Sequence, residues 1–302
     1  MALVLPGCSG TRDVSELLGS GSAGIPVVDA VLYVGRPIPP VRLSRTLDPG
    51  VPFSPEAAAI TGATVRMFIG TDTLSFGEVV DGIYVTFRFQ RVEPQTVYRL
   101  RVDLPDGRLV TAATLTPAAL AEDRWILLEN DGETVRRELA TFAEAGDQSF
   151  EQNRLVHSDG LLEARIGMPA QTIMPPFQVS LQSLDPDSDF VIDVSFLDEE
   201  DLENFDRHSA SPPLIAADGR LRLPWFAVAF GGRYVIRVFA IDMNWYDLIR
   251  SFPELSGGGQ GFGGNAGDAF ERPLFHIEGG IGLFGSAAVD SVGIFVLPPA
   301  GN

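Results

Sequence analysis

The acidic residues of this sequence are densest in residues 185–206, where several carboxylates stand two positions apart. Oxygen-rich loops with acids at alternating positions suit Ca²⁺, so Asp185, Asp187 and Asp189 are the candidate metal ligands. However, a proline such as Pro186 is not typical of an EF-hand loop. The sequence also does not place the glycine and the distal glutamate of that loop at the required distances from Asp185. We therefore expect a solvated loop and strand edge here rather than a tight metal site.

The single cysteine, Cys8, directly follows Leu5-Pro6-Gly7. An apolar residue at −3 and a small residue at −1 resemble a bacterial lipobox, in which the thiol receives a diacylglyceryl group. Several acyl chains hold a protein stably on a bilayer. We therefore expect lipidation at Cys8, with residues 1–24 as the remnant of a lipoprotein signal and a flexible Gly/Ser-rich tether. The alternative is an unpaired cysteine in a frayed N-terminus.

Other catalytic patterns are missing from the sequence. There is no GxSxG, and His157, His208 and His276 lie too far apart for a zinc-binding pattern. We predict no catalytic residue and no cofactor, and one cysteine allows no intramolecular disulfide. A glycan-acting enzyme needs only two facing carboxylates, and 40 acidic residues keep that alternative open.

The formal net charge is −18, and every cationic side chain is arginine because the chain has no lysine. Such a charge repels polyanions, so nucleic acid is not an expected partner. The acidity has two interpretations, solubility or an acidic site for a cationic partner. We favour solubility, which a net charge far from zero promotes.

The composition predicts an all-β fold, since 32 glycines and 22 prolines suit many short strands joined by turns. Residues 25–117 are predicted to form an immunoglobulin-like β-sandwich. Its predicted strands are 27–33, 41–45, 64–69, 73–76, 83–87, 97–104 and 108–114. The last two form the clearest hairpin, because they alternate with period two around Pro105-Asp106-Gly107.

Residues 118–302 are predicted to form a second β-sandwich in tandem with the first. A helical turn is expected at 118–123, followed by strands at 124–128, 136–141, 161–166, 178–181, 190–196, 220–228 and 233–242. Apolar residues at helical spacing predict one short helix over 243–252, which Pro253 ends. The glycine-rich segment 256–267 matches no phosphate-binding motif, so we expect a flexible surface loop.

Aromatic residues of the chain could stack on a sugar or peptide. The candidates are Trp125, Trp225, Tyr234, Trp245 and Tyr246. Most of them fall on apolar faces of predicted strands or of the helix, so we expect them to be core residues.

Several segments occur in the order found in one known family. They are VDAVLYV (28–34), PVRLSR (40–45), ITGATV (60–65), DGIY (81–84), TVYRLRV (96–102), DGRLVTA (106–112), DLIRS (247–251) and FHIEGGIGLFG (275–285). This arrangement resembles the Bacteroidota lipoprotein family known as domain of unknown function 4249. His276 stands where that family usually has Asn. The glycines of the last segment predict a bent edge or bulge where the backbone passes close to another strand.

The resemblance implies a lipid-anchored protein of two β-domains at the outer membrane or cell surface. It also implies a TonB-dependent outer-membrane receptor as a partner, and it carries no known activity or catalytic residues. We expect a non-catalytic envelope lipoprotein that captures a ligand, of unknown identity, for such a transporter. A structural or adhesive protein with immunoglobulin-like spacer domains is the main alternative.

Overall fold

A computed structural model of the chain describes residues 23–140, 149–169, 172–195, 198, 200, 202, 205–251 and 273–299. Strands dominate these ranges, and they form one large mixed sheet and one small sheet. The predicted all-β sandwich architecture is confirmed. Cys8 and the glycine-rich segment 256–267 lie outside the described residues, so lipidation and loop flexibility stay predictions.

The regular elements are bounded as follows. The strands are β1 (Pro26–Tyr33), β2 (Val41–Arg45), β3 (Thr64–Ile69), β4 (Asp72–Val80), β5 (Ile83–Thr86), β6 (Val97–Asp103), β7 (Leu109–Leu115), β8 (Ala121–Leu128), β9 (Val135–Glu138), β10 (Arg154–Val156), β11 (Leu161–Gly167), β12 (Phe177–Ser183), β13 (His208–Ala210), β14 (Arg220–Leu223), β15 (Gly232–Ile241), β16 (Ile277–Glu278) and β17 (Ile281–Leu297). The α-helices are α1 (Pro55–Ala58), α2 (Ser149–Gln152) and α3 (Met243–Ser251), and Trp225–Ala227 is a 3₁₀ turn.

The larger sheet has the strand order β13-β12-β15-β17-β1-β2-β5-β4-β3-β6-β7-β16, and β10 also pairs with β17. Its first half curls around a core, because Val28 on β1 and Val110 on the distant β7 belong to the same buried cluster. The strands alternate buried and exposed residues, as β6 does over Val97–Asp103. The predicted β6–β7 hairpin is present, with Val102 opposite Val110.

The second half is a two-layer packing. Strands β12, β15 and β17 of the larger sheet face the smaller sheet, whose order is β14-β11-β8-β9. Trp125 and Leu162 of the smaller sheet share a core with Phe177 and Ile236 of the larger one. Burial of apolar surface from both sheets stabilises this layer pair.

Strand β17 joins the two halves, because it is 17 residues long and pairs with both. Its first part runs parallel to β1, and its second part runs antiparallel to β15. The preceding β16 pairs with β7, so the chain changes partners at Gly279 and Gly280. The predicted glycine bend is thus present, with β16 at the edge of the sheet and β17 inside it.

Three local predictions differ from the structure. Strand β8 begins at Ala121 and so occupies the second half of the predicted helical turn at 118–123. Residues 190–195 form bends with a single bridge from Phe190 to Phe230, because the Phe190 ring packs against two other phenylalanines instead of extending a strand. Strand β14 ends at Leu223, since Pro224 has no backbone N–H for a ladder, and a 3₁₀ turn follows.

Helix α3 confirms the predicted short helix, up to Ser251 in the part of the chain that the structure describes. Asp242 caps it, because its Oδ1 accepts a hydrogen bond of 2.9 Å from the Trp245 N–H. Ile249 packs with Ala287 of β17, so the helix lies where the two halves meet. No helix in the described ranges has the length and apolar character to span a membrane.

Candidate functional site

A surface groove lies over β7, on the outer face of the first half of the large sheet. Its volume is about 620 Å³, within the range of about 300–1,000 Å³ typical of ligand pockets. Its lining comes from β3, β6, β7, β16, α3 and the segment before β16. The side chains that matter below are Phe68, Arg99, Arg101, Thr111, Ala113, Asn244, Phe275, His276 and Glu278.

Strand register explains why a groove exists here. Thr111 and Ala113 are small, and they lie opposite Arg101 and Arg99 of β6. On the other side of β7, Glu278 of β16 lies opposite Thr111. Small side chains on β7 and long side chains on both neighbouring strands leave the groove along β7.

The two arginines on the β6 side differ in their partners. Arg101 donates three hydrogen bonds to the Asp103 carboxylate, the shortest 2.7 Å, and these bonds hold the pKa of Asp103 below its usual range. Arg99 is exposed, and its side chain has no hydrogen bond or ion pair with any residue that the structure describes. Arg99 is thus the cation of the groove available to a ligand.

Asn244 closes one end of the groove from helix α3. Its Nδ2 donates hydrogen bonds to the carbonyl oxygens of Ala113, at 2.7 Å, and Phe284, at 2.8 Å. Both amide protons are therefore used, which fixes the side chain across β7 and β17. Within the described residues its Oδ1 has no hydrogen bond, so an acceptor is left for a ligand.

His276 lines the groove just before β16, and helix α3 anchors its side chain. Its Nε2 lies 2.7 Å from Oδ2 of Asp247, whose Oδ1 accepts a 2.7 Å hydrogen bond from Arg250. The His276 side chain is 45% exposed, so the ring is oriented yet open to the groove. The imidazole is thus bound to a carboxylate of helix α3.

A buried polar cluster lies at the start of helix α3. Thr114 donates a short hydrogen bond to Asp242 and lies 2.7 Å from the Ser286 hydroxyl. Burial raises the pKa of Asp242, although the Thr114 hydrogen bond opposes that effect. These groups bind one another, so their role is to join β7, β17 and the start of α3.

The chemistry available in the groove is limited. Glu278 is the only acidic residue among the described lining residues, and it accepts a 3.0 Å hydrogen bond from the Thr111 hydroxyl. Hydrolysis of a glycoside by the usual route needs two carboxylates about 5–10 Å apart. The arrangement suits binding better than bond cleavage.

The predicted metal candidates do not form a cluster. Asp185 is bound by Arg233, with Arg233 Nε at 2.8 Å from Oδ1 and the Arg233 backbone N–H at 2.7 Å from Oδ2. Asp187 and Asp189 are exposed. Among the residues that the structure describes, no group of three or more His, Cys, Asp or Glu is placed to hold a metal ion.

The candidate stacking aromatics do not form a common platform. Trp125 and Tyr234 are buried in the core of the second half. Trp225 donates a 2.7 Å hydrogen bond to the Gly160 carbonyl, and Trp245 and Tyr246 pack around α3 with Tyr33 and Phe239. The expectation of core positions is confirmed for Trp125 and Tyr234.

A second groove, of about 520 Å³, lies on the other half of the large sheet. Its lining includes Tyr33, Arg36, Ser180, His208, Arg237 and Asp290. Three of its polar groups already have partners, namely His208 with Ser180 at 2.9 Å, Arg237 with Gln182 at 3.1 Å and Asp290 with Trp125 at 2.5 Å. It therefore offers fewer free groups than the groove over β7.

The sequence did not indicate the groove over β7. Its arginines have the alternation expected of solvent-facing strand residues. The only local signal is the pair of small residues, Thr111 and Ala113, opposite two arginines. That signal acquires meaning only when β16, from the far end of the chain, is placed beside β7.

Of three comparisons with known proteins, one assigns the chain to a family. No curated protein matches this sequence. Among solved structures, a mutant of Salmonella alpha-2-macroglobulin is similar at 11% identity with a TM-score of 0.24, over 94% of this chain and 16% of that one. The chain thus spans about a sixth of that protein, and so low a score does not establish a shared fold. Residues 20–292, nearly the whole sequence, match the family described as domain of unknown function (DUF4249), and the chain belongs to that family.

Proposed function

We propose that this protein is a non-catalytic lipoprotein of the outer membrane or cell surface. A lipid on Cys8 anchors it, and the groove over β7 captures a ligand for a TonB-dependent outer-membrane transporter. The observation that carries the binding role is the groove itself. It combines Arg99 and the Asn244 Oδ1, neither of which has a side-chain partner among the described residues, with a partly exposed imidazole on His276.

Rigid placement of these groups supports binding. Two of them are held by bonds to other elements, Asn244 to the backbone of β7 and β17, and His276 to Asp247 of α3. A site with fixed side chains loses less conformational entropy when it binds a ligand. Binding without chemistry is further favoured by the single carboxylate, Glu278, in the lining.

The envelope location and the transporter partner are supported by the sequence. Leu5-Pro6-Gly7-Cys8 resembles a lipobox, and a Gly/Ser-rich segment follows it. The resemblance to envelope lipoproteins suggests the transporter. The family has no assigned activity, so it does not supply the ligand.

The test of this function is recovery of the partner from native membranes. The full-length protein with a C-terminal tag is expressed in its own host, membranes are solubilised in mild detergent, and captured proteins are identified by mass spectrometry. We expect a TonB-dependent receptor with wild-type protein and a strong reduction with Cys8→Ser. Recovery of the protein from the membrane without any such receptor would refute the accessory role.

A structural or adhesive role is the second candidate, and one observation favours it. The side chains of Phe87 and Phe89 are 81% and 82% exposed. Large apolar side chains exposed close together can form a contact surface for another molecule. If adhesion is the function, Phe87→Ser with Phe89→Ser would reduce attachment of cells to surfaces. Under the accessory role, the same double variant would leave attachment unchanged.

A further inference from the structure

We infer that the groove over β7 binds an acidic oligosaccharide, with a sugar carboxylate paired to Arg99. This inference rests on the proposed binding function and names the class of its ligand. The chain as a whole carries a net charge of −18, yet the free charged group on the β6 wall of the groove is a cation. An unpaired arginine in an acidic protein marks a place where a negative group is favoured.

The chemistry of Arg99 selects a carboxylate. A guanidinium presents a planar fork of N–H donors that matches the two oxygens of a carboxylate. Arg101, two residues along the same strand, shows this pairing within the protein, because it forks onto Asp103. Arg99 has no such partner among the described residues, so a ligand can supply one.

The remaining groups suit a sugar. A sugar hydroxyl both donates and accepts hydrogen bonds, and the groove offers an acceptor on Asn244 Oδ1 and acceptor oxygens on Glu278. Phe68 and Phe275 add apolar surface for the face of a sugar ring. The groove over β7 is open along the strand, so it can accommodate several linked sugars.

Strand pairing argues against an extended peptide as the ligand. Peptides that dock on sheets usually add a strand to an unpaired edge. The floor of the groove is β7, which pairs with β6 on one side and with β16 on the other. No free edge of β7 is available at Ala112 and Thr111, so a peptide could add a strand beside the groove only by pairing with the two-residue β16 at the end of the sheet.

Isothermal titration calorimetry on the full-length protein in detergent tests the inference. The probes are oligomers of galacturonate, glucuronate and mannuronate, each compared with its neutral methyl ester. We expect at least one uronate to bind, with about tenfold or greater loss of affinity in its ester. Added salt should also weaken the binding, since an exposed ion pair is screened.

Three variants locate the site. Arg99→Gln should weaken uronate binding about tenfold or more, with little effect on folding because the Arg99 side chain bonds to no described residue. Ala113→Leu should block the groove, because the exposed Ala113 side chain is part of its lining. Arg124→Gln is the matched control, since Arg124 is an exposed arginine on β8 of the small sheet, and binding should be unchanged.

Four results would overturn the inference. These are no binding to any uronate, equal binding of acid and ester, equal affinity in wild type and Arg99→Gln, or an acidic peptide such as tetraglutamate that binds as tightly as the best uronate. Capture of the transporter is measured separately. Capture that persists while uronates fail to bind would remove the ligand class and leave the accessory function in place.

Discussion

Gly282 of β17 lies so close to Val28 of β1 that a Cβ atom on Gly282 would overlap the Val28 carbonyl oxygen. The two residues are register partners in the parallel pairing that joins β17 to the first half of the sheet. Gly282 also has a φ of 109°, a conformation that residues with a side chain rarely adopt. The junction between the halves therefore depends on glycine at this position.

We predict that Gly282→Ala lowers the free energy of unfolding by at least about 2 kcal/mol. The reason is that the energetic cost of the positive φ and the cost of the overlap with the Val28 carbonyl oxygen add to each other. Urea denaturation followed by tryptophan fluorescence measures the change. Gly107→Ala is the control for the φ effect alone, since Gly107 has a φ of 86° with open space around it. It should cost only about 1 kcal/mol, and equal losses in both variants would contradict the proposed overlap.

Asp242 should matter to stability both as a helix cap and as a buried hydrogen-bond partner. Asp242→Ala removes the acceptor of Trp245 N–H and one of the two hydrogen-bond partners of Thr114, so we predict a loss of about 2 kcal/mol. Asp242→Asn should lose less, because its amide keeps an acceptor for Trp245. Denaturation of the two variants side by side measures the difference.

The pH dependence of stability gives a second test of Asp242. Burial raises its pKa in the folded protein above the unfolded value of about 3.9. At pH values between the unfolded and the folded pKa, the folded state binds more protons than the unfolded state. The contribution of Asp242 to the free energy of unfolding therefore falls as pH rises through this range. The advantage of wild type over Asp242→Asn should decrease through that window and be constant above it. Parallel profiles for the two proteins would show that the Asp242 pKa is not raised.

The segment containing Asp185 is predicted to be held by an ion pair rather than by calcium. Hydrogen bonds from Arg233 lower the Asp185 pKa, so this contribution is present above pH of about 4 and is lost as pH falls through the folded pKa. Asp185→Ala should cost about 1 kcal/mol at neutral pH, a modest value because both side chains are partly exposed. Asp187→Ala should be neutral. Calorimetry with Ca²⁺ decides the matter, and a micromolar affinity that Asp187→Ala abolishes would refute this interpretation.

Lipidation at Cys8 is predicted to hold the protein on the membrane. Expressed from the full-length gene in a Gram-negative host, wild type should fractionate with membranes, and Cys8→Ser should be soluble or accumulate as precursor. The physical reason is that each acyl methylene contributes about 0.8 kcal/mol of burial. If both proteins are equally soluble, the anchor is wrong, and with it the envelope function.

Local patterns predicted much of the secondary structure. The period-two alternation of residues 97–103, together with Pro105-Asp106-Gly107, predicted the β6–β7 hairpin that the structure contains. Helix α3 followed from apolar residues at helical spacing. Predictions failed where packing outweighed the local pattern, as at Phe190, whose ring stacks against Phe205 and Phe230 instead of continuing a strand.

The sequence by itself determined the all-β class, the hairpin, the helix and the glycine bend, because each depends on residues close together in the chain. The tertiary structure alone decided that β17 runs through both halves and that Arg99, Ala113 and His276 line one groove. Strand pairing between distant segments depends on the free energy of burying a shared core, which no local window of sequence contains. Arg99, whose side chain has no partner among the described residues, became visible as a binding group only when that pairing placed β16 beside β7.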